Sequence, residues 1–400
     1  MFEYAKRLDG IKPSIAREMY KVLGKPGYIS FASGAPSADT FPIDAMIELA
    51  PEIYREKGRS VNTYGITEGD PELREVLRKR YIDKYHNGTR ETDDLQVFTG
   101  SSQVLDLTAK AFLNEGDVVL SDEHSYSGAI SAFRAYGAVV KGVAMDENGM
   151  IPEALEEALK TTENVKVIYV IPTFQNPMGI SLTLERRKKI YELAVKYNKL
   201  VFEDAPYFEL RYSGEYIPSI KSFDTTGHVL FAGSLSKIVA PGLRMGFAIA
   251  SKEVLAKLTV GKQQQDLATN PFAQQLAFRY LDRYDLDEHI KECCDLYRVK
   301  RDALLKCLEE KIGDIATFSH PEGGLFLWIY LPEGVSGNEV GLYLLNEKKL
   351  TLIPGSAYHT EGKDIPAIRL NFSVPSVAEI EEGTDRLNEG LREYLAKNQK

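Results

Sequence analysis

Between residues 95 and 250 the chain alternates short apolar runs with longer segments whose apolar positions recur every three or four residues. The runs at 95–99, 118–120, 139–143, 165–171, 200–203, 229–232 and 247–250 predict seven strands. The run at 165–171 is long and unbroken enough for a central parallel strand, which is buried on both faces. Between the runs lie predicted helices. Gly100-Ser101-Ser102-Gln103 opens one through Leu107 and Ala111, 127–136 forms another, and Pro152 starts a third that ends near Lys160. Thr183 caps a fourth, whose face carries Ile190, Leu193, Ala194 and Tyr197. Further upstream, Asp70 followed by Pro71 has the form of an N-cap and first helical position. Strands alternating with helices predict an α/β sheet covered on both faces. After about Pro271 the texture changes to long charged helices, strands at 324–331, 350–353 and 367–372, and a closing helix at 378–396. The predicted organisation is an α/β fold: a large domain at 45–275 with a mainly parallel seven-stranded sheet, and a smaller α+β domain at 276–400. The Gly- and Pro-rich residues 1–44 read as an N-terminal arm that adds part of the small domain, an arm or loop rather than a core element.

Length supports this division, because 400 residues exceed what one core usually holds. The net charge of −9 is spread without long blocks of one sign, which argues against nucleic acid as a partner. Three cysteines, Cys293, Cys294 and Cys307, form no Cys-x-x-Cys and suit a reduced, cytoplasmic setting. The first residues carry no signal-peptide core, and no run of 18 apolar residues predicts a membrane span. Nothing in the pattern of His, Cys, Asp and Glu points to a metal site.

Ligands of open α/β sheets bind beyond the carboxyl ends of the strands, so the polar residues there carry the chemistry. After 229–232 comes Gly233-Ser234-Leu235-Ser236-Lys237, then Pro241-Gly242-Leu243-Arg244. A lysine following a buried strand has its pKa lowered by burial, which suits attack on a carbonyl carbon. Ser234, Ser236 and Arg244 offer hydrogen bonds to a phosphate beside it. Ser234-Leu235-Ser236-Lys237 also fits the Ser-x-x-Lys of penicillin-binding proteins, but the Ser-Asp-Asn and Lys-Thr-Gly they require are absent. Ser101 and Ser102 begin a helix, a ready anion site. Asn176-Pro177 follows 165–171, and Asp204-x-x-Tyr207 follows 200–203, where a buried carboxylate needs a cationic partner. Each feature alone has an ordinary reading as a turn or cap. Together they supply a phosphate cradle, an amide, a carboxylate and an imine-forming lysine, the set that pyridoxal 5'-phosphate requires.

The order Tyr64, Gly100-Ser101-Ser102-Gln103, Tyr126, Asn176-Pro177, Asp204-x-x-Tyr207, Ser234-x-Ser236-Lys237, Arg244, Arg369 resembles the fold-type I pyridoxal-phosphate enzymes of aminotransferase class I/II, over nearly the whole chain. The resemblance implies Lys237 as Schiff-base lysine and general base and Asp204 as partner of the pyridine nitrogen. It implies Asn176 and Tyr207 at the phenolic oxygen and Tyr126 on the ring face. Ser101, Ser102, Ser234, Ser236 and Arg244 would bind the phosphate. Tyr64 would reach the phosphate of a neighbouring subunit, implying a homodimer. Arg369 would grip the substrate α-carboxylate, with Asn176 beside it and Gly34 allowing close backbone approach. Phe31-Ala32-Ser33-Gly34-Ala35-Pro36, Pro172-Thr173-Phe174-Gln175-Asn176-Pro177 and Arg369-Leu370-Asn371-Phe372-Ser373 are most similar to the 2-aminoadipate, kynurenine and multi-substrate aromatic branch. There an arginine on the N-terminal arm takes an acidic side chain or swings away for an aromatic one, and Arg17 falls at that place. Met178 stands where threonine is commoner in this branch, and Tyr358-His359-Thr360-Glu361, expected near the substrate mouth, matches no pattern of the branch.

The function expected is amino-group exchange between an L-amino acid and a 2-oxo acid, with glutamate, 2-aminoadipate or aromatic donors. A lyase or decarboxylase of the same fold would keep every cofactor residue. A non-enzymatic sensor would want a winged-helix domain ahead of the fold, and about 60 residues before Tyr64 leave no room for it beside the arm.

Overall fold

The computed structural model describes residues 2, 4–5, 15–22, 24–88 and 90–398. Its centre is a seven-stranded sheet in the order Asp93–Thr99, Met245–Ser251, Val229–Ser234, Leu200–Asp204, Val165–Val170, Val118–Asp122, Val139–Val143. Met245–Ser251 runs antiparallel to both neighbours. The strands from Val229–Ser234 outward pair in parallel. All seven expected strands are present. Their unbroken apolar runs follow from burial on both faces: every residue of Leu200–Asp204, Val229–Ser234 and Met245–Ser251 is buried. The helices start where local chemistry places them. Asp70 accepts from the amides of Glu72 and Leu73 with Pro71 first in the helix, and Thr183 accepts from Arg186 N.

A second, antiparallel sheet has the order Thr317–Phe318, Phe326–Tyr330, Ala367–Asn371, Ile353–Pro354. It packs with the helices Leu286–Ile312, Gly337–Glu347 and Val377–Asn398. Two expectations need correction here. The stretch 350–353 is not one strand: Leu350–Thr351 pairs in parallel with Ile29–Ser30, while Ile353–Pro354 joins the four-stranded sheet. Residues 29–37 are not a peripheral loop either. Ile29, Phe31, Ala32 and Ser37 are buried, and Phe31 N donates to Thr351 O at 2.7 Å. A two-residue pairing leaves too short an alternation to read as a strand, so this burial is set by tertiary packing.

Among the described residues, no helix is long and apolar enough to cross a membrane. The three cysteines are buried and unpaired.

Candidate active site

The carboxyl ends of the parallel strands open on one cavity of about 270 Å³. Ser101, Ser102, Ser234, Ser236 and Arg244 line it, as do Asp204, Tyr207 and Lys237. Tyr126, Asn176, Gly34 and Arg369 complete the expected set. Residues from separate strand ends, the N-terminal segment and the small sheet thus meet around one space.

Local geometry explains the cradle. Gly100 has φ 81°, a left-handed conformation open to glycine, and a Cβ there would collide with the Arg244 guanidinium. Arg244 itself sits at φ 52°. A Cβ on Gly246 would strike the Gly100–Ser101 backbone, so this strand lies tight against the helix N-terminus at Ser101. Ser101 and Ser102, first in the helix Ser101–Phe112, line this end of the cavity, and a helix N-terminus favours an anion. Ser234 Oγ accepts from Ser236 N at 3.1 Å, which holds the Ser-x-Ser turn. Opposite, a Cβ on Gly128 would run into the Tyr126 ring, so glycine makes room for that ring at the start of Ser127–Arg134.

Lys237 Nζ donates to Gly34 O at 2.8 Å. Burial first, then the positive fields of Arg369 and Arg244, lower its pKa to about 8; Asp204 opposes them. Asp204 is buried, and burial pushes its carboxyl up to about 6 against the opposing effects of Tyr169 and Lys237. Its Oδ2 accepts from Tyr169 Oη at 2.8 Å, while Oδ1 is buried and has no hydrogen-bond partner among the described residues. Arg369 is buried too, opposite Trp328 in the small sheet. Its Nη2 donates to Ala32 O and Ser33 O at 2.6 and 2.9 Å, and Nη1 to Asn176 Oδ1 at 3.2 Å. Its Nε is buried without a partner. The guanidinium lies 4.3 Å from the Phe326 ring centre and 5.2 Å from that of Tyr358.

The loop carrying Asn176 is braced from behind. Buried Arg187 donates to Pro172 O at 2.6 Å and Thr173 Oγ1 at 2.8 Å. Gln175 Nε2 donates to Asp122 Oδ2 at 3.2 Å. Burial raises the Asp122 carboxyl to about 7. A carboxyl raised in the folded state binds more protons folded than unfolded, so its stability contribution falls as pH rises from about 4 to about 7. Asp122→Asn is therefore expected to stabilise the protein by roughly 1–3 kcal/mol above pH 7, with the gain fading toward pH 5. Urea unfolding at the two pH values measures this; an equal change at both would contradict it.

Two expected residues lie apart from the cavity in a single copy of the chain. Tyr64 is 89% exposed. Arg17 is exposed on the short helix Ala16–Tyr20. One turn further on, Tyr20 lines the cavity, as does Tyr358. Nothing in the sequence marked Tyr20. The tract of Tyr358 was expected near the substrate mouth without a role assigned to it, and Tyr358 does line the cavity. Tyr169 was read only as part of a strand.

Over residues 26–387 the chain matches the family Aminotransferase class I and II. It is 36% identical to aromatic-amino-acid aminotransferase 1 of Thermococcus litoralis, covering 98% of this chain and 95% of that protein. It is 35% identical to 2-aminoadipate transaminase of Thermus thermophilus, covering 98% and 97%. The crystal structure of Pyrococcus horikoshii kynurenine aminotransferase, solved in complex with PMP, superimposes with a TM-score of 0.94 at 37% identity, covering 98% of this chain and 97% of that one. The chain belongs to the class I and II aminotransferases, enzymes that work with pyridoxal 5'-phosphate. The residues present fit that cofactor. Asp204 Oδ1 is a buried acceptor awaiting a cationic donor. Arg244 and a helix N-terminus converge where a phosphate would sit. Lys237 carries a lowered pKa into the same cavity.

Proposed function

We propose that this aminotransferase exchanges the amino group of an L-amino acid with a 2-oxo acid by a ping-pong route, taking glutamate, 2-aminoadipate or aromatic donors. The observation that carries the reading is the convergence of Lys237, Asp204 and Arg369 on one cavity. The donor classes are supported by relatives named for aromatic amino acids and 2-aminoadipate.

Lys237 would hold the cofactor's aldehyde carbon, Asp204 its ring nitrogen, Asn176 and Tyr207 its phenolic oxygen, and Tyr126 its ring face. Ser101, Ser102, Ser234, Ser236 and Arg244 would hold its phosphate. When bound, the cofactor supplies an electron sink that acidifies the proton on the substrate Cα. Arg369 would meet the substrate α-carboxylate with its guanidinium charge, held in orientation by Asn176 Oδ1 and two backbone carbonyls. The space a Cβ on Gly34 would take is clear of other atoms, leaving room for that carboxylate. The Lys237 amine, held near pKa 8, takes the Cα proton as general base close to neutral pH, and as its conjugate acid would deliver that proton to the carbon that keeps the amino group rather than back to Cα.

Two copies would complete each site. Support comes from Tyr64 at 89%, Ile66 at 55% and Leu267 at 39% exposure, large apolar groups left open to solvent. We place Tyr64 at the partner's phosphate. The strands of the seven-stranded sheet all fall within 93–251 and those of the four-stranded sheet within 317–371, which supports a large domain at 45–275 and a small one at 276–400. Buried, unpaired cysteines suit a reducing cytoplasm.

The test is an absorption spectrum followed by single amino acids. A donor should convert the visible band to that of the pyridoxamine form while its oxo acid accumulates. A band with no oxo acid from glutamate, 2-aminoadipate or phenylalanine would rule out the proposed donors. We assign Arg17, exposed one helical turn from the cavity-lining Tyr20, to an acidic substrate side chain that the short helix would have to approach. Arg17→Ala should lower kcat/KM for 2-aminoadipate by about 10–100-fold, the worth of a charged hydrogen bond, and leave phenylalanine within about 3-fold. Equal losses for both donors would remove Arg17 from specificity.

A further inference from the structure

Tyr169 stands in the middle of the apolar strand Val165–Val170 and is itself buried. Its ring is packed between Phe133, edge-on at 5.6 Å, and Phe202 at 5.7 Å, which leaves the hydroxyl one direction to point. That direction is Asp204, whose Oδ2 it meets at 2.8 Å. The other oxygen, Oδ1, is buried and has no partner among the described residues. The two oxygens of one carboxylate are therefore unequal before any ligand arrives. One is filled by a donor from the strand next door, and the other is free.

We propose that Tyr169 is a positioning residue of the transamination site: its hydroxyl fixes the Asp204 carboxylate so that Oδ1 alone faces the cofactor ring nitrogen, and it holds that carboxylate ionised. This rests on the aminotransferase reading above. The polarity of the bond is fixed. Burial and the Asp204 charge push the Tyr169 phenol well above its ordinary range, so it stays a donor. The bond lowers the Asp204 pKa against the effect of burial. Lys237 also lowers it, while burial and the Asp204 charge raise the phenols of Tyr126 and Tyr207, which therefore stay neutral beside it. Tyr169 is the one that donates to it directly. Without the phenol, a buried carboxylate with one fewer hydrogen bond is harder to ionise. The proton shared with the ring nitrogen then moves toward Asp204, and the ring withdraws less electron density from the nitrogen of Lys237.

The experiment compares the cofactor-loaded wild type with Tyr169→Phe, which keeps the ring packing. The visible band is titrated with pH, and kcat and KM are measured separately. The expected result is an upward shift of the band's pH midpoint, kcat lower by about 10–100-fold and donor KM within about 3-fold, as for loss of a hydrogen bond to a charged group. Site-specific 3-fluorotyrosine at position 169 provides a second variant that keeps the fold. Its more acidic phenol is a stronger donor and should move the midpoint down. A Tyr169→Phe enzyme with lower Tm but unmoved midpoint and kcat would show a structural role and overturn the inference. Should Tyr169→Phe not fold, a fluorotyrosine enzyme with an unmoved midpoint would do the same. A wild-type enzyme with no visible band would instead overturn the proposed function, and this inference with it.

Discussion

Lys237→Ala is expected to abolish transamination, lowering kcat by at least about 10⁴-fold, and to remove the visible band of the lysine-bound cofactor. Two roles are lost at once. The amine that would hold the cofactor is gone, and so is the general base, a role worth about 10²–10⁴ on its own. The lowered pKa comes from burial and from Arg369 and Arg244, and none of these depends on the lysine being replaced. The mutant cavity therefore keeps its phosphate cradle and its carboxylate grip, so it should still bind cofactor and donor. Removing one buried amine whose hydrogen bond among the described residues is to Gly34 O should cost the fold little. This separation allows a sharper check than activity loss. Small primary amines added to Lys237→Ala should restore part of the turnover, with a dependence on pH that follows the amine's own pKa. Turnover within about 10-fold of wild type, or rescue indifferent to amine pKa, would deny Lys237 its proposed role as base.

The reason Lys237 stood out in the sequence also shows where such reading stops. The strand ends were legible because apolar runs give way abruptly to Gly, Ser, Asn-Pro, Asp or Lys, and a parallel sheet brings those ends together. Ser101, Ser102, Asn176, Asp204, Ser234, Ser236 and Lys237 all lie on the same cavity for that reason. All seven strands of the large sheet were legible from the same alternation. What stayed hidden lacked a local signal. Tyr169 is one aromatic residue in an apolar run, and only its hydroxyl's contact with Asp204 sets it apart. Tyr20 enters the cavity from a short helix, where no periodicity marks an inward face, and Tyr358, whose tract was expected near the substrate mouth, had no role that its turn could reveal. Phe31 and Ala32 are core residues because Leu350–Thr351 lies beside them, some 320 positions away in the chain. Pairing at that distance leaves no mark on the residues themselves. Arg369 and Asn176 were each identified, but their mutual hydrogen bond, which ties the small sheet to the loop after Val165–Val170, belongs to the folded chain alone.

Asp204→Asn should divide activity from stability in opposite directions. The amide keeps the shape of the carboxylate and can still accept from Tyr169, but it carries no charge for a cationic ring nitrogen. The expected loss in kcat is about 10²–10⁴-fold, with donor KM nearly unchanged because Arg369, not Asp204, meets the substrate carboxylate. The cofactor-free protein should meanwhile become more stable. Burial raises the Asp204 carboxyl from 3.8 to about 6, so the folded state holds a proton that the unfolded chain releases. The sign follows directly: the native state is favoured at low pH, and that advantage is lost as pH rises from about 4 to about 6. Above pH 6 the ionised, half-partnered carboxylate is a standing cost that asparagine removes. A shift of this size corresponds to roughly 1–3 kcal/mol, visible as a higher Tm for the variant at pH 8 and almost none at pH 4. Cofactor binding should cancel the difference in the wild type, since the free Oδ1 then gains its cationic partner. A variant less stable at pH 8 would mean that Asp204 is already satisfied in the folded chain, and that the cavity was not built around a missing cation. A variant more stable and far less active would identify Asp204 as a charge the fold tolerates at its own expense because the chemistry requires it.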